Sequence, residues 1–563
     1  VFPHKPFLTD RFDAIGGGID FLGMRQVTLA ILQDELVPGI NNATRDFGSF
    51  CLGAWIPWKF QQLCGKDSRL FIHSRYKEFQ EAMEVAIAYT VRDDSPADER
   101  FGRPRRRTGI RQNFEPPEPM TFANVKRGNS TSIYAAPLYG PSLRYVGLIA
   151  GNALANDWSS TSIPLTSSDA FTEDIVQEVD RALASAKGFS RLVQLEVPPV
   201  KGEVLDELGL KGLHPSYYRQ AHQKAKLAFI RKFFGADQGD KKGGYRKLSA
   251  QLLCETVQQY RFSETEGLRA CWYTNLLPNG RALQFSHPDL ESHRLAWAIF
   301  QARQIQRTII EGFLRCFEIA VASECHTLKE ILDAWQEWSS SEAACLFAGT
   351  FDDLVRSEAA AVSRARDPLA ASRAWHAKVH GSHALYEDQG AVMEEEDFDE
   401  ASEDEESDTA AEDAELVNGL RMLARWWLRM QVWLEENARP DLLDYGQRYR
   451  MSLRWFCQWV RSRRIVSLSE FVTQIFSEVI FAQHINVALG RFDGEVQRLR
   501  FIVGDEGIIP TLEAKGDLGR PPRRTADRLN AFIGILCDLG VLNWDADDVL
   551  SVGPNSSQLW KLT

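Results

Sequence analysis

The sequence predicts a mainly α, multi-domain helical protein with two winged-helix-like modules and an acidic linker. Apolar residues recur at helical spacing over most of the chain. The phrase Leu143-Arg144-Tyr145-Val146-Gly147-Leu148-Ile149 returns as Leu536-Cys537-Asp538-Leu539-Gly540-Val541-Leu542. Each copy has the pattern of a last helical turn, a glycine able to take the left-handed C′ position, and an apolar entry into a short β-wing. Finally, Glu394 to Glu415 holds fourteen Asp or Glu and no Lys or Arg. With 563 residues the chain is too long for one core, and about three or four domains are expected.

Residues 1–92 form an N-terminal helical domain. Phe21, Leu22, Val27, Leu29, Ile31 and Leu32 precede a Val37-Pro38-Gly39 break. A second helix starts near Asn42 or Thr44 and carries Phe47, Phe50, Leu52 and Trp55, with Trp58 and Phe60 just past Pro57. This aromatic density has the character of a packing face rather than a base-stacking platform. Residues 93–119 are a Pro- and Arg-rich linker.

The first winged-helix-like module covers 120–200, with a helix over 133–148, an apolar return at Ile163 to Leu165 and a helix over 173–186. Pro137 and Pro141 divide its first helix, since each removes a backbone donor. Residues 201–390 form a central helical domain whose longest stripe runs from Leu295 through Ile299, Ile305, Ile309 and Leu314 to Phe317. The acidic linker, 391–415, has the composition of a solvated segment, because like charges repel and few apolar groups offset the ordering entropy. A nucleic-acid mimic is the alternative that its composition leaves open. A Trp-rich helical bundle follows over 416–499, and the second module over 500–563, with a helix over 525–539 and strands over 541–544 and 549–552.

Charge narrows the partner class. Removing the fourteen acidic charges of the run from the formal net charge of −12 leaves the remainder at +2, so basic residues matter locally. Arg103, Arg105, Arg106, Arg107 and Arg111 precede the first module, and Arg520, Arg523, Arg524 and Arg528 stand at the entry to the second. Arginines so placed suit phosphate contact, which adds salt-dependent, sequence-independent affinity for double-stranded DNA. The stretch Arg219 to Lys247, also basic, is expected to be a solvated face.

Catalytic and metal signatures are sparse. Asp505 with Glu513-Ala514-Lys515 resembles the acid and Glu-x-Lys core of restriction-type nucleases, in which paired carboxylates bind Mg²⁺ and a lysine assists water. His287-Pro288-Asp289 is better accounted for as a helix start than as a metal site. His376-Ala377-Lys378 lacks the acid that a phospholipase D-type nuclease needs, and Gly16-Gly17-Gly18 lacks the Lys-Ser/Thr of a phosphate loop. No cofactor or metal is implied. Nine scattered cysteines without a CxxC pair, no bilayer-length apolar run and no signal pattern in Val1 to Lys5 point to a reducing, cytoplasmic setting without a membrane.

The phrases Leu36-Val37-Pro38-Gly39-Ile40-Asn41-Asn42-Ala43-Thr44-Arg45, Gly140 to Leu148, Gln483-His484-Ile485-Asn486-Val487-Ala488-Leu489 and Asp538-Leu539-Gly540-Val541 together resemble an uncharacterised group of bacterial proteins. That group is encoded beside helicases and nucleases in anti-phage defence islands. The resemblance implies a defence context and a helicase, ATPase or nuclease partner, and it supplies no catalytic residues. His484, within the third phrase, is expected to be a satisfied core or interface histidine.

Overall fold

The computed structural model describes residues 20–67, 69–92, 95–101, 119, 122, 133–134, 139–150, 163–220, 222–235, 241–279, 281–338, 346–360, 415–446, 451–490, 499–511, 518–519, 527–545 and 549–562. The protein is mainly α. Helix α1 (Met24–Ile31) ends in a widened π-type turn through Leu36, and α2 (Phe47–Cys64) and α3 (His73–Thr90) follow. Asp46 caps α2 by accepting from the Ser49 N–H at 2.7 Å.

Pro57 lies inside α2, where its missing N–H leaves the Gly53 carbonyl without its i+4 donor. The Tyr134 hydroxyl donates to that carbonyl at 2.6 Å, and Thr166 donates to the Ala54 carbonyl at 2.9 Å. Side chains from the first predicted module therefore repair the helix at its proline. The aromatic face of α2 is core: Phe47, Phe50, Trp55 and Phe60 are fully buried, and Trp55 and Trp58 donate to Asp180 and Glu173.

The first module contains α4 (Gly140–Tyr145), the ladder β1 (Ile149–Ala150) with β2 (Leu165–Thr166), and α5 (Ala170–Ala184). Pro141 occupies the first turn of α4, where a missing donor costs nothing. Next come α6 (Gln223–Phe233), α7 (Lys241–Gln259), α8 (Thr265–Thr274) and the 35-residue α9 (Pro288–Ala322). Then follow α10 (Leu328–Trp338), α11 (Phe351–Ala360), α12 (Glu415–Glu435), α13 (Leu453–Arg463), α14 (Leu468–Gln474) with a widened π-type turn to Phe481, and α15 (Ala482–Gly490).

The predicted stripe from Leu295 to Phe317 is the core face of α9, and His287 is its N-cap, accepting from the Asp289 N–H. At about 1.5 Å per residue, α9 runs roughly 50 Å through the protein. Several of its polar residues are buried with partners: Glu318 accepts from Arg500, and the Met451 carbonyl accepts from Arg303 and Gln306. Helix α12 packs against α9, with Trp426 donating to the Ala302 carbonyl at 2.9 Å. One hydrophobic cluster extends from Leu22 to Leu559.

The C-terminal segment holds the hairpin β3 (Phe501–Gly504) with β4 (Gly507–Pro510), then α16 (Leu529–Asp538), β5 (Leu542–Trp544) paired with β6 (Leu550–Val552), and the closing turn α17 (Ser557–Lys561). Each described sheet is a two-stranded antiparallel ladder. Among the described residues no helix is long and apolar enough to cross a membrane.

Candidate functional site

The two repeated phrases fold alike. After α4, Gly147 takes φ 77° and the Leu148 N–H reaches back to the Leu143 carbonyl at 2.9 Å. After α16, Gly540 takes φ 72° and the Val541 N–H reaches the Leu536 carbonyl at 2.9 Å. Both are left-handed glycine caps with the six-to-one bond that satisfies an otherwise orphaned helical carbonyl. Each cap then delivers the chain into an antiparallel ladder.

Neither helix offers a free face. Every residue of α16 is buried or half-buried, as is every residue of α4. The ladder after α16 is fastened to the helical body: the Leu550 N–H donates to the Phe262 carbonyl at 2.8 Å, Gln223 donates to Asn555 at 2.7 Å, and Lys247 donates to the Leu562 carbonyl.

The two halves of the chain meet at the N-terminus of α2. Asp46 accepts a 2.5 Å hydrogen bond from the Tyr139 hydroxyl, and Asp538 accepts from the Phe47 N–H at 3.0 Å. Arg219 pairs with the other Asp538 oxygen at 3.0 Å, while Lys226 donates to the Arg219 carbonyl at 2.6 Å. Two carboxylates at a helix N-terminus are favoured by the helix dipole and by these donors. Burial, reinforced by Asp46, holds the Tyr139 phenol well above its ordinary pKa, and burial raises the Cys51 thiol with Asp46 and Asp538 adding to it. Burial lowers the Lys226 ammonium, against the attraction of Asp538. The arrangement clamps chain segments together and has an inert thiol at its centre.

Two further histidines, His214 and His484, are also structural. His214 pairs with Asp98 through Nε2 at 2.9 Å and accepts from the Ser216 N–H through Nδ1, so both ring nitrogens are engaged. His484 is fully buried, accepts from the Arg500 N–H at 3.0 Å and packs on Phe501, and burial pushes its pKa down to about 4. It is a satisfied core histidine. No group of three or more His, Cys, Asp or Glu able to hold a metal occurs among the described residues.

The predicted DNA-contacting residues fall in two classes. Arg103, Arg105, Arg106, Arg107, Arg111, Arg520, Arg523 and Arg524 lie outside the described residues. Arg528 lies inside the fold, 8% exposed, and donates to the Ile40 carbonyl, a position that removes it from the phosphate role the sequence suggests. Burial lowers its pKa to about 10. Of the nuclease-like set, Asp505 is an exposed turn residue between β3 and β4, and Glu513 and Lys515 lie outside the described residues, as do the histidines at 376 and 383, Gly16 to Gly18 and the acidic run up to position 414. Among the described residues, β3 and β4 pair as a two-stranded ladder.

The basic stretch from Arg219 to Lys247 is solvated only in part: Lys224, Arg231 and Lys241 are exposed, whereas others are drawn into the fold. Arg246 is fully buried and donates to the carbonyls of Phe233 and Pro38; Lys232 pairs with Asp169 and Lys224 with Asp174. Comparison with family models, curated proteins and solved structures finds no match to the chain. Its function is therefore argued from these contacts alone. Sequence reasoning missed the Asp46, Tyr139 and Asp538 junction. Asp46, three residues before Ser49 at a helix start, carries a readable capping signal; Asp538 carries none, because its partners are hundreds of residues away.

Proposed function

We propose that the protein is a non-enzymatic adaptor of a bacterial multi-protein anti-phage defence assembly. It contacts double-stranded DNA through its arginine-rich segments and docks a helicase, ATPase or nuclease on its helical body. The observation that supports this reading is the repeated glycine-capped helix leading into a two-stranded ladder, preceded in the sequence of both copies by clustered arginines.

Burial of α4 and α16 favours contact with phosphates over insertion of a helix into a groove. Binding of this kind is insensitive to sequence and falls steeply with salt, because neutralised phosphates release counterions. Titrating a labelled duplex with the full chain between low and moderate salt tests it. The reading expects steep, sequence-independent weakening, and no binding at low salt contradicts the DNA half. The same burial also favours a purely protein-binding scaffold, which would form a stable complex with its partner and bind no duplex. Incubation with DNA and Mg²⁺ or Mn²⁺ separates both from the Asp505, Glu513 and Lys515 nuclease alternative, which alone predicts cleavage.

A further inference from the structure

We draw no further inference here: the strongest candidate, the outer edge of the β3–β4 hairpin where Ile502 and Val503 are exposed, is an apolar strand edge and nothing in the structure shows what covers it.

Discussion

The carboxylate of Asp538 accepts a hydrogen bond from the backbone N–H of Phe47 at 3.0 Å, joining residues 491 positions apart. The last turn of α16 thereby helps cap α2, and Arg219 holds the same carboxylate from the other side. Replacing Asp538 by Ala leaves a half-buried arginine and a buried N–H without this acceptor. The expected loss is about 3 kcal/mol, within the range for breaking a buried charge-assisted contact. A denaturant midpoint unchanged from the parent would show that the junction is not a clamp.

Arg269 grips Asp527 with two parallel hydrogen bonds at 2.6 and 2.8 Å, and both side chains are buried. Removing either partner breaks a buried charge pair, with Arg269 still meeting Glu266, so Arg269→Ala and Asp527→Ala each cost about 3 kcal/mol. The double variant is expected to cost clearly less than the sum. Additive losses in a double-mutant cycle would mean that the two residues act separately.

The two glycine caps make parallel predictions. At Gly540, φ is 72° and an added Cβ would lie 3.2 Å from the Asn555 amide nitrogen; at Gly147, φ is 77° with Lys232 at 3.2 Å. Gly540→Ala and Gly147→Ala should each destabilise by about 1 to 2 kcal/mol, because an L-residue is strained in the left-handed region. Thermal melts of both variants check this, and a stabilised Gly540→Ala would contradict the cap assignment.

Two buried histidines predict an acid limb to the stability curve. Burial lowers His293 to about 3 and His484 to about 4. Below the unfolded value of roughly 6.5 the unfolded chain gains protons that the folded protein refuses, so stability rises with pH across this window and is lost as pH falls. At about 1.4 kcal/mol per unit, His484 alone contributes about 3 kcal/mol of loss by pH 4. In urea titrations His484→Gln should shrink the stability difference between pH 7 and pH 4.5 by about 2 to 3 kcal/mol. Parallel pH profiles for variant and parent would rule this out.

What the sequence revealed was what local chemistry decides. The stripe from Leu295 to Phe317 is period-3.6 patterning, His287-Pro288-Asp289 is a helix start, and the Leu-Gly phrases are helix caps; each depends on residues within two turns of one another. Arg246, Lys226 and Arg528 looked like surface cations because nothing adjacent marks them as interior. Arg246 reaches Pro38, 208 residues before it, and Arg528 reaches Ile40, 488 before it. The helical passage through Pro57 was likewise hidden, since the hydroxyl that relieves Gly53 belongs to Tyr134.

The adaptor reading is tested most directly by the duplex affinity of the variant Arg105→Glu, Arg106→Glu, Arg523→Glu, Arg524→Glu against the parent at fixed low salt. If these arginines neutralise phosphates, the variant binds far more weakly, and the slope of log affinity against log salt shrinks by up to about one per lost contact. Equal affinity and an equal slope in parent and variant would contradict the account.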